Sequence, residues 1–360
     1  MKRNLLALML LATFSAMAAE PSLYVWQRRQ TPELERAAAE FCRQSSGRLY
    51  FLAGELENDG RTLRFPSSEN VDLARSVPVI RVHVAHLQKE PGVLAAEIAG
   101  MYAPWRQSRT LQIDLDAPES KLDHYRDLMA ELRQRLPGVE LSATVLPCHL
   151  KHVAAFCGFA AQCDFYVLQV HGLTRENGEW RIFDYPAALR AVMQAKALGR
   201  PFKTALPLYG SRVEEGELVK PDFSQVSRLA ALCGEVIGFR LGLPGDGAAL
   251  DLETALRVCR GESYSPTLET RWKNAGNGTW HLMIGNRGYL AEKVVLTLDF
   301  DVPPSDMDTF DQAVWDRNRR ELTLILPPSG TESPYLWVRP GGDLKREPEC
   351  QINRKEETPK

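Results

Sequence analysis

The sequence predicts an α/β fold: a (β/α)8 barrel of the TIM type followed by a small C-terminal antiparallel β-sandwich. Between Ser22 and about Arg260, short β-rich runs alternate with helical patterns, and such alternation implies parallel strands joined by helical crossovers. The β-rich runs number eight, which is what a closed barrel requires. After Gly261 the helical period disappears, and short strands follow one another across Asn- and Gly-containing turns.

The eight strand candidates are Leu23–Gln27, Leu49–Glu55, Val79–Ala85, Thr110–Asp116, Leu141–Leu146, Asp164–His171, Lys203–Tyr209 and Val236–Leu241. The crossover after the fourth shows why helices are expected between them. Pro118 suits a first helical turn, where its missing N–H costs little. Leu122, Tyr125, Met129, Leu132 and Leu136 then recur at three- and four-residue steps, forming one apolar stripe that Pro137-Gly138 stops. Other helices are expected near Pro32–Gln44, Gly92–Trp105, Tyr185–Leu198, Phe223–Cys233 and Ala248–Cys259, with a short one around Lys151–Ala161. In the sandwich, strands are expected at Leu268–Trp272, Trp280–Ile284, Val294–Phe300, Glu321–Leu326 and Tyr335–Val338. The expected organisation is thus a leader over 1–19, a barrel over 20–262, a β-sandwich over 263–342 and a charged, disordered tail over 343–360.

The leader reads as a cleaved secretory signal. Lys2 and Arg3 precede an apolar run from Leu5 to Phe14, and Ala16-Met17-Ala18 offers a small-x-small cleavage site. The run is shorter than the roughly 20 residues a membrane-spanning helix needs, and no second such run follows. A periplasmic or secreted protein without a membrane span in the mature chain is expected. Cleavage removes two of the 44 basic residues and none of the 46 acidic ones, moving the formal charge from −2 to −4. That mixed balance lacks the clustered basic residues nucleic-acid binding needs. Seven cysteines, Cys42, Cys148, Cys157, Cys163, Cys233, Cys259 and Cys350, would enter an oxidising compartment, so disulfides are expected among Cys148, Cys157 and Cys163 and among Cys233 and Cys259, with the pairing open and one thiol left over. Neither a C-x-x-C nor an H-x-x-x-H pair is present, and no metal or other cofactor is expected.

Side chains alternate along a strand, so each strand divides into an outward and an inward set. On the fourth strand Leu111, Ile113 and Leu115 go outward, leaving Gln112, Asp114 and Asp116 inward. The same rule turns Arg81 and His83, Ser142 and Thr144, Gln169 and His171 toward the axis. On the eighth strand it sends Ile237, Phe239 and Leu241 outward and Arg240 inward. A barrel interior is ordinarily filled with bulky apolar side chains, and barrel enzymes place their chemistry at the C-terminal ends of the strands. Five strands bringing polar groups to that end mark it as the functional face. The opposing reading is a closed structural network in which Asp114 pairs with Arg81 or Arg240.

At this point the chain resembles the family 18 glycoside hydrolases, the chitinase-like barrels. Their strand-four signature is D-G-x-D-x-D-x-E, and residues 111–118 read Leu-Gln-Ile-Asp-Leu-Asp-Ala-Pro, so Asp114 and Asp116 match the second and third acids. The run Ala205-Leu206-Pro207-Leu208-Tyr209-Gly210 looks like the family's strand-seven segment G-[LIV]-P-x-Y-G. The family's catalytic acid, however, falls on Pro118, its strand-six Tyr-Asp pair on His171-Gly172, and its strand-eight tryptophan is not evident. The sequence is more similar still to an uncharacterised family of exported bacterial proteins that shares the I-D-L-D-A core of this degenerate strand. The resemblance implies a distant kinship with sugar-processing barrels and an oligo- or polysaccharide partner.

Two functions follow. In one, the chain is a glycoside hydrolase with a rearranged site: Asp116 is general acid or nucleophile, Asp114 tunes its pKa, and Glu55 or Asp184 supplies a second carboxylate. Arg81, His83, Gln169, His171, Tyr209 and Arg240 would bind the sugar, with Trp26, Trp180 and Tyr209 as stacking surfaces. In the other, the chain is a non-catalytic carbohydrate-binding or envelope scaffold protein, as the missing acid and the appended sandwich suggest. A metal-assisted hydrolase built on Asp114, Asp116 and His171 is the remaining reading.

Overall fold

A computed structural model describes residues 20–65, 72–214, 216, 218–262, 268–286, 292–310, 313–326, 332–343 and 345–354. The leader expected over 1–19 lies outside the described residues. By its contacts the chain divides into two units, 1–261 and 262–360.

The first unit is a closed eight-stranded parallel barrel with helices outside it. Its strands are β1 (Ser22–Val25), β2 (Leu49–Leu56), β3 (Ser76–Val82), β4 (Thr110–Asp114), β5 (Glu140–Val145), β6 (Phe165–Gln169), β7 (Phe202–Pro207) and β8 (Val236–Phe239). Each pairs in parallel with the next, and β1 pairs with both β2 and β8, which closes the ring. The crossovers carry α1 (Pro32–Gln44), α2 (Pro91–Tyr102), α3 (Leu122–Arg135), α4 (Val153–Ala160), α5 (Tyr185–Leu198), α6 (Phe223–Ala230) and α7 (Leu252–Cys259). Polar caps start several of them: Thr31, Asp184, Asp222 and Asp251 each accept a backbone N–H of the first turn. Between β2 and β3 the described residues hold no α-helix. There the strand Thr62–Arg64 folds back antiparallel on β2, and a 3-10 turn at Leu73–Arg75 leads into β3.

The lumen is layered. At its N-terminal end Arg48 donates to Thr110 at 2.9 Å, and the Lys203 ammonium lies 2.8 Å from Glu235 and 4.7 Å from the centre of the Phe165 ring. Above this sits an apolar belt of Tyr24, Tyr50, Val77, Val79, Phe165, Val167, Ala205 and Ile237, with Trp26 and Phe239 packed against it. Polar groups occupy the C-terminal end. The expected phase of β8 is therefore corrected: Ile237 and Phe239 face inward, not the helices. The outward position is Gly238, and the side chains of Leu208, Leu23 and Cys259 close over it.

The second unit is an antiparallel sandwich. One sheet runs in the order β9 (Leu268–Gly276), β10 (Thr279–Asn286), β15 (Ser333–Arg339), β12 (Asp306–Thr309). The other runs β13 (Ala313–Asp316), β14 (Glu321–Leu326), β11 (Glu292–Phe300), β16 (Cys350–Arg354). Leu282, Ile284 and Leu336 from the first sheet meet Leu296, Leu298 and Leu324 from the second in one buried core. The expectation of a disordered tail from residue 343 is corrected by β16, whose backbone pairs with Leu296–Phe300. The charged residues around it hid the strand, which as an edge strand needs only one buried face; residues 355–360 lie outside the described part. The expected disulfides are also corrected, because all seven cysteines are free. Cys148, Cys157 and Cys163 sit on a 3-10 turn, in α4 and in the turn beyond it, and Cys163 directs its thiol toward the Phe159 carbonyl at 3.9 Å.

Candidate functional site

β4 delivers two carboxyls to the C-terminal mouth at different depths. Asp114, the last residue of β4, is half-buried, and Thr144 on β5 donates to its Oδ1 at 2.7 Å. Thr144 in turn accepts from the amide of Gln112 at 3.1 Å, and Gln112 exchanges hydrogen bonds with the Tyr24 hydroxyl at 2.7 and 3.0 Å. Asp114 thus ends a buried polar chain that crosses the lumen from β1. Burial, reinforced by the charge of Asp116, raises its pKa to about 6 despite the opposing Thr144 bond and the Arg81 charge.

Asp116 lies beyond the strand end and is exposed, yet desolvation by the protein around it raises its pKa. Arg81 and His149 oppose that rise. The charge of Asp116 adds to burial in holding up the pKa of the deeper carboxyl. The segment carrying Asp116 is fixed by His149, a buried residue in the turn after β5. The Leu146 N–H donates to its Nδ1 at 3.2 Å, so Nε2 bears the proton and donates to the Ala117 carbonyl at 2.7 Å. Burial lowers the pKa of His149 and favours this neutral form.

Neither carboxyl is sealed by an arginine, as the structural network expected for Asp114 would require. Arg81 turns to Glu55 at 3.3 Å, and Arg240 pairs with Asp246 at 2.9 Å. Glu55 is buried at the end of β2, and the Nε of Arg28 reaches it at 2.6 Å from the other side. This clamp removes Glu55 as a free second carboxylate. Asp184, the other candidate, caps α5 by accepting from Ala187 N–H at 2.7 Å.

The opposite wall of the mouth is aromatic. Phe239 lies 5.1 Å from Trp26, 5.2 Å from Tyr209 and 5.4 Å from His171, measured between ring centres. His171, following β6, packs on Tyr209 at 5.8 Å, and both its ring nitrogens are buried without a partner among the described residues. Desolvation drops its pKa to about 4, so the ring is neutral across ordinary pH. Gln169 ends β6 half-buried beneath it. Burial raises the Tyr209 pKa, while the nearby Arg240 guanidinium lowers it. Arg240 is not a lumen residue of β8, because Phe239 holds the inward position and Asp246 draws the guanidinium toward its own loop. His83 caps the turn Val84–Gln88 through its Nδ1, 3.2 Å from the Ala85 N–H, and is exposed. Trp180 lies on the hairpin formed by Thr174–Glu176 and Glu179–Arg181, where Arg175 stacks on it at 5.3 Å.

Strand alternation found Asp114, Asp116, Arg81, Gln169 and His171, and it placed Gln112 and Thr144 inward without assigning them a role. It missed Arg28 and His149, which reach the site from turns where alternation does not apply. Among the described residues no group of three or more His, Cys, Asp or Glu is arranged to hold a metal ion.

These features define a (β/α)8 barrel with a carboxylate pair facing an aromatic wall across its C-terminal mouth. Residues 74–231 match the family model described as a domain of unknown function, DUF3142. No curated protein matches the chain. Among solved structures, a class V chitinase from Pseudomonas fluorescens Pf-5 matches at 10% identity over 67% of this chain and 99% of its own, with a TM-score of 0.48. α-Galactosidase I from Mortierella vinacea matches at 11% identity over 91% of this chain and 98% of its own, with a TM-score of 0.37. A broad-specificity endoglucanase from an uncultured bacterium matches at 11% identity over 68% and 93%, also with a TM-score of 0.37.

Proposed function

We propose that this chain is an exported carbohydrate-active protein that hydrolyses a glycosidic bond at the mouth of its barrel, with Asp116 as the catalytic acid. The observation that carries this reading is the aspartate pair. Both carboxyls are pushed above the ordinary range, one of them to about 6, and the outer one is open to a ligand. Desolvation favours the protonated form of Asp116, and a carboxyl with a raised pKa suits general acid catalysis. In the proposed step Asp116 donates its proton to the departing glycosidic oxygen as the C–O bond breaks. Water adds to the anomeric carbon, and its surplus proton restores Asp116, so the net change is one water added across the bond. Asp114 does not touch the substrate; it places a titrating charge behind Asp116. The neutral His171, Tyr209 and Gln169 on the facing wall bind hydroxyls, and Trp26 offers a stacking face.

The test is release of reducing ends from chitin-type and bacterial envelope polysaccharides, in parallel with Asp116→Asn. Turnover by the parent that falls at least about 100-fold in the variant supports the reading, since general acid–base groups contribute about 10²–10⁴. A variant as active as the parent sinks the assignment of Asp116.

A second reading, carbohydrate binding without turnover, is favoured by two features. The position of the acid in chitinase-like barrels is Pro118, and Glu55 is neutralised by Arg28 and Arg81. It is supported if the same polysaccharides bind the parent and none is cleaved.

A further inference from the structure

The sandwich has a cavity of its own, of about 380 Å³, at the end where the edge strands β12 and β13 approach the C-terminal part of β11. Its floor is apolar and flat-sided: Phe300 from β11, Trp315 from β13, Met307 from β12 and Pro304 from the intervening loop. Phe300, Met307 and Trp315 are only partly buried against the sandwich core, so their outer faces remain available. The rim is polar and balanced in charge. Arg320 is held by Asp299 at 2.9 Å. Arg317 and Asp306 are both exposed, and neither has an ion-pair partner among the described residues.

We propose that this cavity is a second, non-catalytic binding site for a neutral oligosaccharide, distinct from the barrel mouth. Its volume falls within the range of small-molecule sites, about 300–1,000 Å³, near the lower end. The pyranose ring has one face made of C–H groups and an edge made of hydroxyls. The first matches the indole and phenyl faces of Trp315 and Phe300, and the second matches a guanidinium donor beside a carboxylate acceptor. A carboxylated or phosphorylated sugar fits less well, because Asp306 and Asp299 offset Arg317 and Arg320. A purely apolar ligand would leave Arg317 and Asp306 unused.

The proposal does not depend on turnover in the barrel, and its test keeps the two sites apart. The full chain carrying Asp116→Asn, which prevents consumption of ligand, is titrated by calorimetry with chitohexaose, cellohexaose, maltohexaose and xylohexaose. Arg317→Ala and Trp315→Ala are added singly on that background, with His171→Ala as the barrel control. At least one glycan is expected to bind. Arg317→Ala should weaken it about three- to tenfold, as for loss of one hydrogen-bonding partner, and Trp315→Ala at least about tenfold. His171→Ala should leave that site's affinity unchanged. Arg317 is exposed and outside the core, so its variant decides the matter if Trp315→Ala fails to fold. The proposal is overturned if no glycan binds, if Arg317→Ala binds as tightly as its background, or if only His171→Ala removes binding.

Discussion

Asp114 is a carboxyl whose surroundings disagree about its charge. Thr144 and Arg81 favour the ionised form, while burial and Asp116 oppose it and prevail. An unfolded aspartate ionises near about 3.9, whereas Asp114 in the fold titrates at about 6. Between those values the folded state binds more protons than the unfolded one. The contribution to stability is therefore fully present below the lower value and is lost as pH rises through the higher one. Asp114→Asn keeps an acceptor for Thr144 and removes the titration. Relative to the parent, the variant should gain stability between pH 5 and pH 7.5, as a rise in the urea midpoint followed by tryptophan fluorescence. An equal difference at both pH values would mean that Asp114 titrates normally.

At the scale of elements, β8 shows where strand alternation loses information. Val236-Ile237-Gly238-Phe239 offers an apolar residue in both phases, so hydrophobicity alone does not choose the inward set. Gly238 decides it, because the outer layer packs against bare backbone there. A Cβ at Gly238 would stand 2.3 Å from Leu208 Cδ1, 2.7 Å from Leu23 Cδ2 and 2.9 Å from Cys259 Sγ. Gly238→Ala should cost about 1–3 kcal/mol as overpacking, measured by urea unfolding of the full chain; a neutral result would show that the outer layer relaxes freely. β4 is the contrasting case, since its apolar and polar residues separate cleanly into two phases. Asp114 and Asp116 were legible for that reason. Arg28 and His149 were not, because their positions depend on how turns return to the barrel, and no local period encodes that return.

At the scale of the whole molecule, the alternating strand–helix pattern was sufficient to read the barrel and the change of texture after Gly261 to read the sandwich. The charged tail concealed β16, since its pairing with β11 is non-local and its burial one-sided. The layered lumen ties the fold to the proposed function. Ion pairs close its N-terminal end and an apolar belt fills its middle, so the C-terminal mouth is the end where Asp114, Asp116, His171 and Tyr209 converge. The most direct measurement of that claim is a crystal structure of the full chain carrying Asp116→Asn, soaked with an oligosaccharide that the parent cleaves or binds. A glycosidic oxygen is predicted within about 3.2 Å of the side chain at position 116, with hydroxyls facing His171 and Tyr209. A mouth empty of sugar while the same ligand occupies another part of the chain would contradict it.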